Sequence, residues 1–369
     1  MKIALVHTNF TRGGGMEAYL LSLVKGFVGQ GDDVTVYACK VDRILAGDMG
    51  CAVRQIKPWW PRKMREFRFL HRCNTLPLKH EYDLSIGTAR VGSPHVAVCG
   101  GVHAETVRHI RRTALLRGFY DLLENHYEGK AFRDATYIMA HSGAIAEQIR
   151  THYPVEPAKV QVIYPPIDTE RFVPLESAAL ARARSSLGID DRRLTVLFVS
   201  CGHRRKGLAQ LYQAFSELDP KRFELLVAGS QIPSGHPDNV RYIGYINNLA
   251  PVYAAVDFTI LPSYYEPFGL VVPESMQCGT PVIVTKNVGA GELLTDREAV
   301  FLPDNTAGSI AKTLKQLDRG RKVEPGFAER HRLDIDQHIQ VIKSSFCGTH
   351  PEKSAPSPLG ISGQTTTAD

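Results

Sequence analysis

Along residues 1–165, compact apolar runs alternate with stretches in which apolar side chains recur every three or four positions. The runs KIALVH (2–7), DVTVYAC (33–39), DLSIGT (83–88), HVAVC (95–99) and YIMAHS (137–142) predict buried strands. Met16–Phe27 and Ala114–Phe132 carry helical spacing between them. The rhythm returns in LTVLFVS (194–200), FELLVAG (223–229), VRYIGY (240–245), FTILPS (258–263) and PVIVTK (281–286). Helices are predicted there at Leu208–Leu218, Leu249–Val256, Gly269–Cys278 and Ala307–Leu317. Strands alternating with helices imply parallel, doubly wound sheets, and their number suffices for two. The polar, proline-bearing stretch Pro165–Asp191 reads as the linker. The expected division is therefore 1–165 and 166–345, two Rossmann-like α/β domains facing a central cleft. Residues 348–369, rich in Ser, Thr, Pro and Gly, are expected to form a disordered tail.

Length agrees with this division, since 369 residues exceed what one core ordinarily serves. Composition narrows the class further. With 43% hydrophobic and 22% charged residues, the chain is neither disordered nor fibrous. No apolar run approaches the ~18 residues of a membrane span. The start, MKIALVHTNF, lacks a signal-peptide layout, so a soluble, cytoplasmic protein is expected. Seven scattered cysteines without a C-x-x-C pair support neither a disulfide framework nor a zinc knuckle. Charge is unevenly divided. Residues 1–165 hold 22 Lys+Arg against 15 Asp+Glu, whereas the remainder holds 22 against 23. The first half is thus expected to meet something anionic.

In doubly wound sheets ligands bind outside the carboxyl ends of the strands, so the loops there carry the candidate chemistry. Thr8–Gly15 ends in three glycines, whose bare backbone at a helix start suits close approach of an anion, with Gly14 and Gly15 foremost. The alternative is a plain tight turn. Neither a G-x-G-x-x-G fingerprint nor an acid ending the second strand is present, so a dinucleotide is not indicated. SCGHRRKG (200–207) puts Arg204, Arg205 and Lys206 beside a helix N-terminus, where cations are unfavourable until an anion arrives. A P-loop spacing is absent, and a solvated basic turn is the bland reading. SYYEPFGLVVPESMQCGTPVI (263–283) places Glu266 and Glu274 eight residues apart around a helix start. The amides of Gly269, Leu270 and Val271 there would be free to meet a diphosphate. A carboxylate can accept from two neighbouring sugar hydroxyls, and a glycosidase pair is the competing use. In CGGVHAET (99–106), His103 is expected at a strand's carboxyl end, facing the cleft.

Together these loops resemble the retaining glycosyltransferases of family 4, of the GT-B fold, over about residues 1–345. The likeness rests on E-P-F-G-L-V-V-P-E at Glu266–Glu274, the glycine loop, R-K-G at Arg205–Gly207 and D-T-E-R-F at Asp168–Phe172. His203 stands where many members have Arg. The resemblance implies that Arg205 and Lys206 clamp the donor diphosphate and that Glu274 holds the nucleotide ribose. It implies that Glu266 contacts the transferred sugar opposite His103, and that the base lies near Tyr245. A more distant likeness points to lipopolysaccharide-core glucosyltransferases. The implied reaction moves a hexose from a nucleotide sugar to an acceptor hydroxyl with retention, with neither metal nor cofactor. UDP-glucose is the preferred donor and GDP-mannose its rival. An epimerase, or a non-catalytic sugar-nucleotide binder of the same fold, are the alternatives.

Between Arg54 and Arg72 seven cations accompany a single acid, Glu66, and interleave with Trp59, Trp60, Phe67, Phe69 and Leu70. Arg108, Arg111, Arg112 and Arg117 form a second cluster. Both predict docking on an anionic membrane surface, at its inner face, to reach a glycan or glycolipid acceptor. A basic helix whose aromatics serve the core is the alternative. No nucleic-acid module accompanies the charge.

Overall fold

A computed structural model describes residues 1–346 except 58, 60–63, 110–116, 318 and 322. The expected tail at 348–369, together with Trp60, Arg62, Lys63, Arg111 and Arg112, lies outside the described residues.

Two parallel sheets organise the chain. The first contains β1 (Lys2–Phe10), β2 (Asp33–Val41), β3 (Ala52–Gln55), β4 (Leu84–Gly87), β5 (Val96–Cys99), β6 (Tyr137–Ala140) and β7 (Val160–Val162), in the order 3-2-1-4-5-6-7. The second contains β8 (Leu194–Ser200), β9 (Phe223–Gly229), β10 (Val240–Gly244), β11 (Phe258–Leu261), β12 (Val282–Thr285) and β13 (Ala299–Leu302), in the order 10-9-8-11-12-13. Every strand pair is parallel. Helices cover both faces, which explains why the central strands read as unbroken apolar runs. Ile3, Leu5, Leu84, Ile86 and Val96 are fully buried in the first sheet, as are Val196, Phe198, Leu225 and Ile260 in the second. All ten predicted strands exist; β3, β7 and β13 are additional.

Strand order reverses direction between β1 and β4 in the first sheet and between β8 and β11 in the second. At such switch points the loops diverge to opposite faces and leave a crevice. Both crevices open onto the same cleft, of about 970 Å³.

Two features depart from the sequence-based division. The stretch Pro165–Asp191 is not bare linker, for it holds the helix Ser177–Ser186. Alanines there supply helix propensity, but the helix buries none of its own side chains, so no apolar stripe announces it. The final helix, Ile335–Phe346, was grouped by sequence order with the second domain yet packs on the first. Its Ile339 and Ile342 are fully buried against the helix Gly15–Gly29, among Leu23 and Phe27. Gly26 permits that approach, since a Cβ there would stand 2.7 Å from Ile339. The chain therefore crosses between domains twice. Ile167 N–H donates to the Leu333 carbonyl at 2.9 Å and the Thr169 hydroxyl to Asp334 at 3.0 Å, tying the two crossings together.

Candidate active site

The loops after β8 and β11 form one wall of the cleft. After β8 the chain makes a single helical turn, His203–Lys206, and then breaks at Gly207, where φ is +88°. A side chain at Gly207 would strike the Pro262 carbonyl at 2.6 Å, so the break also lets the two loops touch. His203 serves this geometry: its ring hydrogen-bonds Ser200 Oγ at 3.0 Å and faces the Ser230 carbonyl at 3.1 Å, joining the ends of β8 and β9. Arg204 points to solvent, whereas Arg205 and Lys206 line the cleft.

The cations expected to wait for an anion already have a carboxylate. Arg205 Nη1 lies 2.8 Å and Lys206 Nζ 3.8 Å from Glu266 Oε2. Arg205 also donates to the Tyr265 carbonyl at 2.7 Å, and Lys206 to the Val199 carbonyl at 3.3 Å. Two cations against one carboxylate leave a positive surplus. The Glu266 side chain is 11% exposed, and its Oε2 accepts no aligned hydrogen bond despite the nearby charges. That atom is ion-paired with Arg205 and keeps a lone pair for a further hydrogen bond. Gly269, at φ +92°, packs against it: a Cβ would lie 3.0 Å from Glu266 Cγ.

The helix after this loop spans Val271–Gln277, with Leu270 as its N-cap. It starts two residues later than predicted because Gly269 takes the left-handed turn instead. The Gly269, Leu270 and Val271 backbone still lines the cleft. Glu274 sits within the first turn, where the Tyr253 hydroxyl donates to Oε2 at 2.8 Å. Burial pushes its carboxyl above the usual range, opposed by the Tyr253 hydrogen bond and by the charges of Arg171 and Lys206. Arg171 is held at the cleft by the Asn247 carbonyl and by Asn248 Oδ1, 3.2 Å from its Nε. It thereby anchors the loop after β10 that carries Tyr245, itself 67% exposed and lining the cleft.

Across the cleft, Gly13, Gly14 and Gly15 line the opposite wall at the start of the 15-residue helix Gly15–Gly29. An added Cβ at Gly15 meets nothing within 4 Å, so that glycine faces open space.

His103 stands just past the carboxyl end of β5. The chain leaves the strand through Gly100 and Gly101, which line the cleft, and His103 opens the next helix beyond them. Its Nε2 lies 3.0 Å from Asp121, on the helix Arg117–Asp134, and its amide donates to Glu128, which lines the cleft. A Cβ on Gly101 would stand 2.8 Å from Pro267, so this is where the two walls meet.

Beside that contact, the Glu292 carboxylate accepts from the Gly143 and Ala144 amides at 2.8 Å each. It thus caps the helix Gly143–His152 from the other domain. The Ser142 hydroxyl donates to the Pro267 carbonyl at 2.9 Å, linking the same junction to the Glu266 loop. Sequence reasoning passed over Glu292, Arg171 and Tyr253. Only Arg171, inside the quoted D-T-E-R-F phrase, stood in a recognisable pattern.

Comparison with known proteins decides the family. Residues 13–171 match the family described as Glycosyltransferase Family 4, and residues 181–333 match Glycosyl transferases group 1. A probable transglycosylase of Burkholderia thailandensis is 32% identical over 345 residues, covering 92% of this chain and 94% of that one. The chain belongs to glycosyltransferase family 4. A D-inositol 3-phosphate glycosyltransferase of a Mycobacterium species is 30% identical over 208 residues, about half of each chain. Among solved structures, Anabaena HepE in complex with UDP and glucose superposes with a TM-score of 0.75 at 18% identity, covering 95% of this chain and all of that one. WaaG, a glycosyltransferase involved in lipopolysaccharide biosynthesis, superposes with a TM-score of 0.76 at 19% identity, covering 94% and 100%. This family 4 enzyme therefore has the GT-B architecture, and its cleft is where glycosyl transfer is to be sought.

Proposed function

We propose that the enzyme transfers glucose from UDP-glucose, with retention, to a hydroxyl of a lipid-linked glycan of the lipopolysaccharide-core kind. The observation that carries this is Glu266, whose Oε2 is ion-paired with Arg205 and lies near Lys206 at a switch point of the donor domain. Cations there stabilise the diphosphate as its bond to the sugar breaks. The Glu266 carboxylate has lone pairs left to accept a hydroxyl of the departing sugar. Glu274, deeper in the same wall, takes the ribose hydroxyls, and the Tyr245 loop takes the base. Charge is supplied by side chains and backbone amides, so a metal is not required of this arrangement. HepE, solved in complex with UDP and glucose, and WaaG, involved in lipopolysaccharide biosynthesis, support the choice of donor and acceptor. No protein nucleophile is assigned, and Glu266 and His103 are positioning residues.

The test is incubation with UDP-glucose or GDP-mannose, with EDTA, with and without a lipid-linked glycan. Expected is acceptor-dependent release of UDP and an α-linked product, unaffected by EDTA. Release from GDP-mannose alone would transfer the proposal to mannose. Change of the donor sugar without acceptor would indicate an epimerase, and binding without turnover a non-catalytic protein.

We propose also that the first domain docks on the inner, anionic face of a membrane. The aromatic part of the sequence argument shrinks here, since Phe67, Phe69 and Leu70 are core residues, at most 5% exposed. They pack beneath the helix Arg65–Cys73, with Phe67 stacked on Tyr127. Arg65, Arg68 and Arg72 remain exposed on that helix. Trp59 is 96% exposed, and Phe119 and Leu122 on the adjoining helix are 60% and 69% exposed. Each cation near an anionic leaflet contributes about 1 kcal/mol, giving reversible attachment without an anchor. Liposome flotation is expected to require anionic lipid, to fall with salt, and to weaken when Arg65, Arg68 and Arg72 become Ser. Equal flotation with neutral vesicles would refute it.

A further inference from the structure

The wall contributed by the first domain has its own switch point, between β1 and β4, and the sequence reading placed no side chain there. His7 closes the unbroken buried run Ile3–His7 of β1 at that point. Thr88, just past β4, faces it: His7 Nδ1 lies 2.9 Å from Thr88 Oγ1. The Thr88 hydroxyl lies 3.2 Å from the Val6 carbonyl, to which it donates its proton. Its oxygen can then only accept from His7, which places the imidazole proton on Nδ1. Nε2 is left with a lone pair. His7 lines the cleft and is 7% exposed, and no protein group partners Nε2 among the described residues. Burial lowers the affinity of this ring for a second proton, outweighing the nearby Glu17 carboxylate and a hydrogen bond to the Thr88 backbone. The ring therefore stays neutral near pH 7.

The charges around it set what can approach. Glu66 and Glu128 line the same wall. Arg90, its cation among the described residues, is already held by Glu124 at 2.7 Å and Glu128 at 3.2 Å. Glu128 is tied further by the Tyr153 hydroxyl at 2.6 Å and the His103 amide at 2.9 Å. A phosphate brought here would meet carboxylates with no unclaimed cation from this wall, and like charges set together are costly. An uncharged hydroxyl meets a ready acceptor.

We propose that His7 binds the acceptor, Nε2 taking the hydrogen bond of a sugar hydroxyl, and that the end of the acceptor entering the cleft carries no phosphate. This rests on the glycosyl-transfer reading above and adds to it the acceptor's chemical class and one binding residue. The buried ring presents a single acceptor atom at the crevice of one domain, across from the donor group at the crevice of the other. It selects a hydroxyl by geometry, since a group that closes over this atom without donating a hydrogen bond leaves it desolvated and unpaired.

The experiment uses the full chain and whichever of UDP-glucose and GDP-mannose the wild type consumes. Acceptors are two neutral sugars or polyols, methyl α-glucoside and myo-inositol, and their phosphate esters, methyl α-glucoside 6-phosphate and inositol 3-phosphate. Wild type is expected to transfer to a neutral member and poorly to its ester. His7→Leu should raise the acceptor KM roughly tenfold, the scale of one lost hydrogen bond. Its calorimetric Kd for the nucleoside diphosphate should stay within twofold of wild type. His7→Gln, whose amide oxygen can stand where Nε2 stood, should recover most of the loss, and serves if the leucine variant does not fold. Transfer confined to the esters, or to none of the four, overturns the proposal. So does an unchanged acceptor KM in both variants, or a nucleotide Kd that weakens in step with it. A wild type that binds no nucleoside diphosphate at all defeats the glycosyl-transfer reading itself, and the proposal with it.

Discussion

Lys206→Ala should lower kcat by about a hundredfold to a thousandfold, the usual cost of removing one preorganised charge from a developing anion. The side chain is 13% exposed, so its charge is weakly screened and acts at close to full strength on a diphosphate in the cleft. Its effect grows as the bond to the sugar breaks, because the leaving group becomes more negative then. KM for the donor should therefore change far less than kcat. Arg205 remains beside Glu266 in the variant and keeps the ground-state complex intact. Arg204→Ala is the control, since that side chain points into solvent on the same turn. Steady-state kinetics on both variants checks the point. Equal losses would mean that the turn acts through bulk positive charge rather than through a placed ammonium.

A second large effect concerns acid. Tyr19, His141 and His338 form a buried group in which the Tyr19 hydroxyl meets His338 Nε2 at 3.0 Å and the Tyr19 ring meets the His141 ring edge-on at 4.6 Å. Burial pushes both histidines down to about 3, with His338 adding its field to that on His141. The folded state keeps them neutral while the unfolded chain protonates each near its ordinary 6.5. Stability from this source is complete above pH 6.5 and drains away as pH falls toward 3. Each histidine contributes a slope of about 1.4 kcal/mol per pH unit within that window, and both act together. Urea denaturation at pH 7, 6 and 5 should show midpoints falling steeply below 6.5. His338→Gln, which cannot take up the proton, should flatten the slope by about half. A midpoint independent of pH between 7 and 5 would contradict this account.

The sequence displayed the sheets more fully than the helices, for a physical reason. Strands covered on both faces must be apolar throughout, so LTVLFVS and FELLVAG mark β8 and β9 residue by residue. The strands missed, β3, β7 and β13, are three or four residues long and stand at or next to a sheet edge. Partial exposure puts polar residues into β3 (AVRQ) and β7 (VQV), while β13 (AVFL) is apolar but only four residues long. The donor wall was legible because Arg205, Lys206, Glu266 and Glu274 come from two short loops whose spacing survives folding. Glu292 was not, because its partners Gly143 and Ala144 are remote in sequence. His103 follows the loop leaving β5: the two glycines fill that loop, and the histidine begins a helix whose neighbour supplies Asp121. His7 was hidden inside an apolar run, where a strand residue and a site residue look alike.

The return of the final helix to the first domain has a consequence for how the chain is made. On the ribosome the first sheet is complete long before Ile335–Phe346 has been synthesised. Until then the groove on the helix Gly15–Gly29, beside Leu23 and Phe27, stays uncovered and apolar. Domains ordinarily fold in the order they emerge, but this one must wait until the second has been synthesised. Asp32 waits too, for it pairs with the Met1 amino group at 2.9 Å and with Lys343 at 2.6 Å, so the two ends of the described chain meet on one carboxylate. A nascent first half is thus a client for chaperones, and separate expression of it should yield aggregates unless the last helix is supplied. The half begun first is finished last.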